Sequence, residues 1–398
     1  MPVISDSPGI LFYPGKNNGY LNHKPFVPEA VDGRAMVNPF YPNLLPPRDG
    51  KGGPLRWLAP PLLPGTKAIC DSQAFQTWQT RPDMLVRVQS ERVEDAAADR
   101  WRFTPPVAAK TKRGRACRPR AHKRAKRERM TPGEAIDAQI AFRARLRAEL
   151  GDYDFDFEAV VTYDKLVDEA VVNGKQVKRR AAEVDAVAMV AETIASARVY
   201  QARRDEFGGA IAYAAQGATL GQYMDCVRQL LPLMRPGKDW LALGGFCIIG
   251  QQRSLIPLFI EVCREVAPLL ARHGITRVHV LGVTVVDALQ HVAKFFADAG
   301  VVLSTDSTSM EKNAIMGGVW DEEHMLRRPG ASPFKHVWMP DDKGVLYHSA
   351  DLAIGNIRRF TEWCAKQGGQ HTAHRPAARL RSMSPSTQLG LDYGQQKL

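Results

Sequence analysis

From about residue 67 to residue 305, short apolar runs alternate with longer segments whose apolar residues recur at helical spacing. The short runs are Lys67–Asp71, Ala159–Asp164, Ala210–Gln216, Trp240–Gly245, Arg277–Gly282 and Val301–Asp306. Each is short, rich in residues that favour strands and bounded by polar or glycine positions, so each predicts a buried strand. The intervening segments predict helices. Leu255, Phe259, Val262, Val266 and Leu269 step by four and three along one helical face, and Val285, Leu289, Val292 and Phe296 do the same. Both stripes are read as core packing. Thr131-Pro132-Gly133-Glu134 is a capping box with proline at the first helical position, and it opens a helix running to about Leu150.

Strand and helix in strict alternation imply parallel strands joined by crossover helices. Six such units in this span favour a closed (β/α)8 TIM-like barrel over an open doubly wound sheet. The turn after Lys67–Asp71 also lacks the glycine-rich signature that an open dinucleotide-binding sheet needs. Residues 1–62 are rich in proline, glycine and asparagine. They read as an irregular segment with one strand at Ala35-Met36-Val37. The barrel is assigned to 63–366, with an insertion at 105–131, and the polar stretch 367–398 reads as a flexible tail.

Composition narrows the class. The hydrophobic fraction of 44% is that of a globular chain. The longest uncharged apolar stretch, Trp240 to Gly250, has 11 residues and is too short to span a bilayer. The N-terminal residues lack a basic region followed by an apolar one. The expectation is a cytoplasmic protein, in the host cytoplasm if the chain is phage-encoded, with no membrane partner. Six scattered cysteines, Cys70, Cys117, Cys226, Cys247, Cys263 and Cys364, show no paired spacing and predict reduced thiols.

Charge is distributed unevenly. The formal net charge is +12, and +10 of it lies in one segment. That segment holds Lys110, Lys112, Arg113, Arg115, Arg118, Arg120, Lys123, Arg124, Lys126, Arg127 and Arg129 against the single acid Glu128. The rest of the chain is nearly neutral. Such a strap suits a phosphate backbone, whose neutralisation releases counterions.

In a barrel, functional groups gather where strands end. Those positions are Asp71 with Phe75, Asp164, Gln216-Gly217, Gly244-Gly245, Leu281-Gly282 and Asp306-Ser307. In this order the set resembles the tRNA-guanine transglycosylase superfamily, across roughly residues 67–310. Asp71–Gln76 is similar to the family's Asp-Ser-Gly-(Gly/Ala)-Phe-Gln motif, with Gln73 in place of a glycine. Asp164, Gln216-Gly217, Gly244-Gly245 and Leu281-Gly282-Val283 follow in the family's sequence, and Thr305-Asp306-Ser307 matches the nucleophile motif. Members that act on tRNA carry a C-x-C-x-x-C zinc motif and a later histidine. After Asp306 this chain has only Cys364, and Cys364, His371 and His374 have poor zinc spacing. The arginine that closes the tRNA enzymes' nucleophile motif is also missing. The pattern is closer to the phage and bacterial paralogues that exchange guanine in DNA for a 7-deazaguanine such as preQ0.

The resemblance implies a specific chemistry. Asp306 would be the nucleophile at C1′ of the sugar and Asp71 the acid/base. Asp164 and Gln216 would read a guanine-like edge. Amides near Gly244 and Gly245 would bond its carbonyl, and Phe75 with Leu281 and Gly282 would enclose the ring. No metal and no other cofactor is expected. The partners would be DNA, with tRNA as the alternative, a free 7-deazaguanine base, and a second copy in a homodimer. A catalytically silent nucleic-acid-binding barrel is the alternative outside enzymology, and retention of both Asp71 and Asp306 argues against it.

Overall fold

The computed structural model describes residues 9–15, 33–37, 65–72, 85–87, 101–103, 109–110, 116–117, 131–150, 155–167, 170–172, 175–177, 181–250, 252–310, 318–320, 325–327 and 343–367. Eight parallel strands form its centre. They are β1 Leu11–Pro14, β2 Arg34–Val37, β3 Lys67–Cys70, β4 Phe157–Val161, β5 Ala210–Ala215, β6 Trp240–Leu243, β7 Arg277–Val280 and β8 Val302–Ser307. From β2 to β8 each strand pairs in parallel with the next, and β8 pairs with β1. A parallel bridge from Gly15 to Met36 brings β1 against β2 and closes the ring.

Helix α1, Pro132–Leu150, lies between β3 and β4 in the chain. Helices α2 Glu183–Ala202, α3 Leu220–Leu230, α4 Ile256–Arg272 and α5 Val286–Asp298 follow β4 to β7 in turn, and α6 Lys343–Lys366 follows β8. This is the (β/α)8 barrel expected from the alternation of strands and helices. The capping box forms as read. Thr131 N–H donates to Glu134 Oε2 at 2.9 Å, and Glu134 N–H donates to Thr131 Oγ1 at 3.2 Å.

The N-terminal boundary differs from the sequence expectation. Residues 1–62 are not simply irregular, because they supply β1 and β2, and the barrel begins at Leu11 rather than at 63. β2 contains the strand expected at Ala35-Met36-Val37, which was assigned outside the barrel, and β1 was not expected. The side chains of the basic strap lie outside the described residues. Within it, the backbone of Ala109–Lys110 pairs antiparallel with Ala116–Cys117. The tail assigned to 367–398 also lies outside the described residues after position 367.

Alternate side chains along each strand point into the ring. Tyr13, Met36, Ile69, Ala159, Val161, Ala210, Ala212, Ala214, Trp240 and Ala242 form this inner cluster, with Leu11 and Leu281 packed against it. Three alanines from β5 leave room for Tyr13 and Trp240, whose ring centroids are 6.4 Å apart. The opposite faces, including Ile211, Leu241, Val278 and Val280, join Phe259, Val262, Val266, Leu289, Val292 and Phe296 of α4 and α5 in the outer core. The helical stripes are therefore core, as read.

Tyr13, Glu158 and Arg277 pair with one another inside the ring. Tyr13 Oη donates to Glu158 Oε2 at 2.6 Å, and Arg277 forms an ion pair with the same carboxylate. The Arg277 guanidinium sits 4.9 Å from the centroid of Trp240. Burial, and then the Glu158 carboxylate, push the Tyr13 phenol well above its ordinary range, so it stays a neutral donor.

One helical residue ties the exits of β3 and β4. Gln139 of α1 is 1% exposed. Its Nε2 donates to Asp71 O and Val161 O, both at 3.0 Å, and its Oε1 accepts from Tyr200 Oη at 2.9 Å. Gln139→Leu removes all three bonds and leaves buried polar groups unpaired, at a cost of about 1–3 kcal/mol each. Urea unfolding should show a loss of about 3 kcal/mol or more. A loss below about 1 kcal/mol would show that these groups find other partners.

Candidate active site

The exits of β3 to β8 share one end of the barrel, the end that carries chemistry in this architecture. At the β3 exit, Asp71 is half-buried and its N–H donates to Val37 O at 2.8 Å. Its carbonyl is held by Gln139, so the chain leaves β3 at a fixed place. Ser72 is 2% exposed and donates from Oγ to Asp164 Oδ1 at 3.5 Å. Phe75, read as a stacking partner, lies outside the described residues.

Asp164 and Gln216 stand at the exits of β4 and β5 and are 5% and 0% exposed. Gln216 Nε2 donates to Asp164 Oδ2. With the amide thus oriented, Gln216 Oε1 is buried without a hydrogen-bond partner. Leaving such an acceptor unpaired costs about 1–3 kcal/mol, so it marks a place where a donor is wanted.

Two glycines at the β6 exit make room for this pair. A Cβ on Gly244 would collide with Gln216 Nε2 and lie 3.1 Å from Asp164 Oδ2. Gly245 has φ +72°, and a Cβ there would lie 2.7 Å from Tyr223 Oη and 2.8 Å from Gln216 Oε1. Tyr223 of α3 donates its hydroxyl to Gly244 O and stacks on Phe246 with centroids 5.1 Å apart. The expected donor role of the Gly244 amide is corrected here. That N–H is already given to Ala215 O at 3.0 Å, in the β5–β6 ladder. Gly244 contributes by lacking a side chain.

The exits of β7 and β8 build a second group. Asp306 Oδ1 accepts the Gly282 N–H at 2.8 Å and faces His279 Nε2 at 3.2 Å. Gly282 has φ +71°, a turn that aims its amide at the carboxylate, and a Cβ there would lie 3.1 Å from Cys247 Sγ. His279 is fully buried, whereas the Asp306 side chain is 17% exposed. The other ring nitrogen of His279 meets Ser304 Oγ at 2.9 Å. Leu281 donates its N–H to Leu243 O at 3.0 Å and packs half-buried on the inner cluster.

The structure thus gathers Asp164, Gln216, Gly244 and Gly245 around the exits of β4, β5 and β6, and Leu281, Gly282 and Asp306 around those of β7 and β8. The two groups adjoin because β6 pairs with β7. Asp71 joins the first through its neighbour Ser72. Sequence reading missed His279, Ser304, Tyr223 and Gln139. Two of these had a signal, since His279 lies two residues before Leu281 and Ser304 two before Asp306, which puts each on the same strand face as its successor.

Among the described residues no group of three or more His, Cys, Asp or Glu is placed to hold a metal ion. Cys364 is buried in the core, and desolvation pushes its thiol well up. His371 and His374 lie outside the described residues. Chemically, the mouth offers a buried acceptor that lacks a donor, a carboxylate beside it, and a second carboxylate with one oxygen held by the protein.

The crowding at Gly245 is testable against a control. Gly237 has φ +69°, but a Cβ there meets nothing within 4 Å. Gly237→Ala should cost only backbone strain, about 1–2 kcal/mol. Gly245→Ala carries the same strain plus displacement of Tyr223 and Gln216, and should cost visibly more in urea unfolding. Equal costs would mean that the pocket wall yields freely.

No family model matches the chain and no curated protein matches it, so what this site does must be read from its own side chains.

Proposed function

We propose that the chain is a base-exchange transglycosylase that replaces guanine in DNA with a free 7-deazaguanine. One observation carries this reading. The buried Asp164–Gln216 pair leaves an unpartnered acceptor beside a glycine turn, at the same barrel mouth as the held carboxylate of Asp306. A guanine-like base presents N–H and amino donors on one edge, which match the Asp164 carboxylate and Gln216 Oε1. Phosphate or carboxylate ligands would present only acceptors and leave Gln216 Oε1 unsatisfied.

In the proposed reaction the target nucleotide leaves its stack and enters the mouth. Asp306 attacks C1′, the C1′–N9 bond breaks, and guanine departs after receiving a proton from Asp71. The incoming base gives its N9 proton back to Asp71 and attacks C1′, breaking the aspartyl ester and restoring Asp306. Atoms and charge balance without a redox partner, and a carboxylate suits an oxocarbenium-like centre. Leu281 is proposed to stack on one face of the base. The basic strap supplies affinity through phosphates. Among the described residues no helix is long and apolar enough to cross a membrane.

The test is incubation with labelled guanine and, in parallel, duplex DNA and tRNA, followed by nucleoside analysis. Label should enter DNA. Asp306→Asn should abolish incorporation, and Asp71→Asn should slow it by about two to four orders of magnitude. Label in tRNA alone would move the reading to the tRNA reaction. No label in either polymer, or full activity in Asp306→Asn, would sink it.

A further inference from the structure

We infer that His279 is a positioning residue for Asp306, that it occupies Oδ1 of the carboxylate, and that Oδ2 is the oxygen that attacks. The inference rests on the proposed base exchange for the word attack, but the arrangement itself stands on hydrogen-bond geometry.

Both donors to Asp306 converge on one atom. Gly282 N–H reaches Oδ1 at 2.8 Å, and His279 Nε2 lies 3.2 Å from the same oxygen. Oδ2 is not bound by either, and the side chain is 17% exposed, so the exposed part of the carboxylate is available to the mouth.

The ring is held from behind. Ser304 Oγ lies 3.0 Å from Val278 O and 2.9 Å from His279 Nδ1. A serine hydroxyl has one proton, and a carbonyl can only accept. Whether that proton goes to Val278 O or to Nδ1, Ser304 holds the ring at Nδ1 and leaves Nε2 facing Asp306 Oδ1. A hydrogen bond to the carboxylate requires a proton on Nε2.

The groups facing His279 favour this. On β8 they are Ser304 and Asp306. On β1 the Tyr13 ring stands edge-on at 5.9 Å, and its hydroxyl is committed to Glu158. Arg277, two residues earlier on β7, is paired with that same Glu158. Asp306 is thus the carboxylate in direct contact with the ring.

The consequence for the reaction is directional. When Oδ2 forms the ester to C1′, Oδ1 becomes its carbonyl oxygen and keeps both donors. When the second base attacks C1′, the electrons of the breaking C1′–O bond return to a carboxylate already bonded by Gly282 and His279. Those bonds make it a better leaving group. His279 touches neither base nor sugar and acts only through Asp306.

Two measurements on the full chain test this. The first is nitrogen NMR of ring-labelled histidine, with His279 assigned by its loss in His279→Gln. Wild type should show a proton on Nε2 of His279, the nitrogen that faces Asp306. A wild-type ring with its proton on Nδ1 alone would overturn the inference, because Nε2 would then have no proton to give Asp306. The second is exchange kinetics. His279→Leu should lower kcat by about 100-fold with KM for DNA little changed, and His279→Gln, which keeps one N–H, should recover part of that loss. Unchanged kcat in His279→Leu would overturn the positioning role. Should wild type exchange no base in any polymer, the base-exchange reading fails, and the NMR pattern alone decides whether His279 holds Asp306. His279→Gln also serves as the folded variant if His279→Leu does not fold.

Discussion

Closure of the parallel ladder is the constraint on which everything else rests. Once the Gly15–Met36 bridge brings β1 against β2, the eight-stranded ladder comes round on itself, and the parity of its strands is locked. Each strand then sends alternate residues to a narrow interior that must be filled and electrically satisfied. Tyr13, Trp240 and the alanines of β5 fill it. Glu158 takes both the Tyr13 hydroxyl and Arg277, so charge in the ring is met by charge. The same parity stacks Arg277, His279 and Leu281 on one strand and Ser304 and Asp306 on its neighbour. The candidate active site is the top layer of that column.

Rigidity in the site comes from residues that do no chemistry. Gln139 fixes where β3 and β4 end, and Tyr223 holds the Gly244 carbonyl from α3. The glycines act by subtraction. Gly244 and Gly245 give the Asp164–Gln216 pair its space, and Gly282 turns its amide toward Asp306. Gln216 Oε1 is left as a buried acceptor that favours a ligand with donors.

Much of this was legible in the sequence, for identifiable reasons. Strands β3 to β8 are bracketed by helices with clear apolar stripes or caps, so their alternation betrayed the barrel. β1 and β2 were not read as barrel strands. Ala35-Met36-Val37 was read as a strand but left outside the barrel, and both segments sit among proline, glycine and asparagine with no legible helical stripe to mark a strand–helix unit. The strand-exit residues Asp71, Asp164, Gln216, Gly282 and Asp306 were found because an exit is a position in sequence as well as in space. His279 and Ser304 were missed because polar residues inside an apolar strand carry no flag unless strand parity is followed back from the exit. Gln139 and Tyr223 arrive from helices far along the chain, and only the fold brings them in. The Gly244 amide was misread for a simpler reason, since its partner is a ladder carbonyl whose register the sequence does not display.

On the proposed base exchange, Asp306 forms a covalent bond to the sugar of a nucleic acid. The most direct measurement is mass spectrometry of wild-type protein quenched during reaction with duplex DNA, then digested and mapped. A sugar-linked mass is expected on the peptide that contains Asp306, lost on adding excess free base and not formed by Asp306→Asn. A chain that exchanges base with no adduct on that peptide, or with the adduct on Asp71, would contradict it.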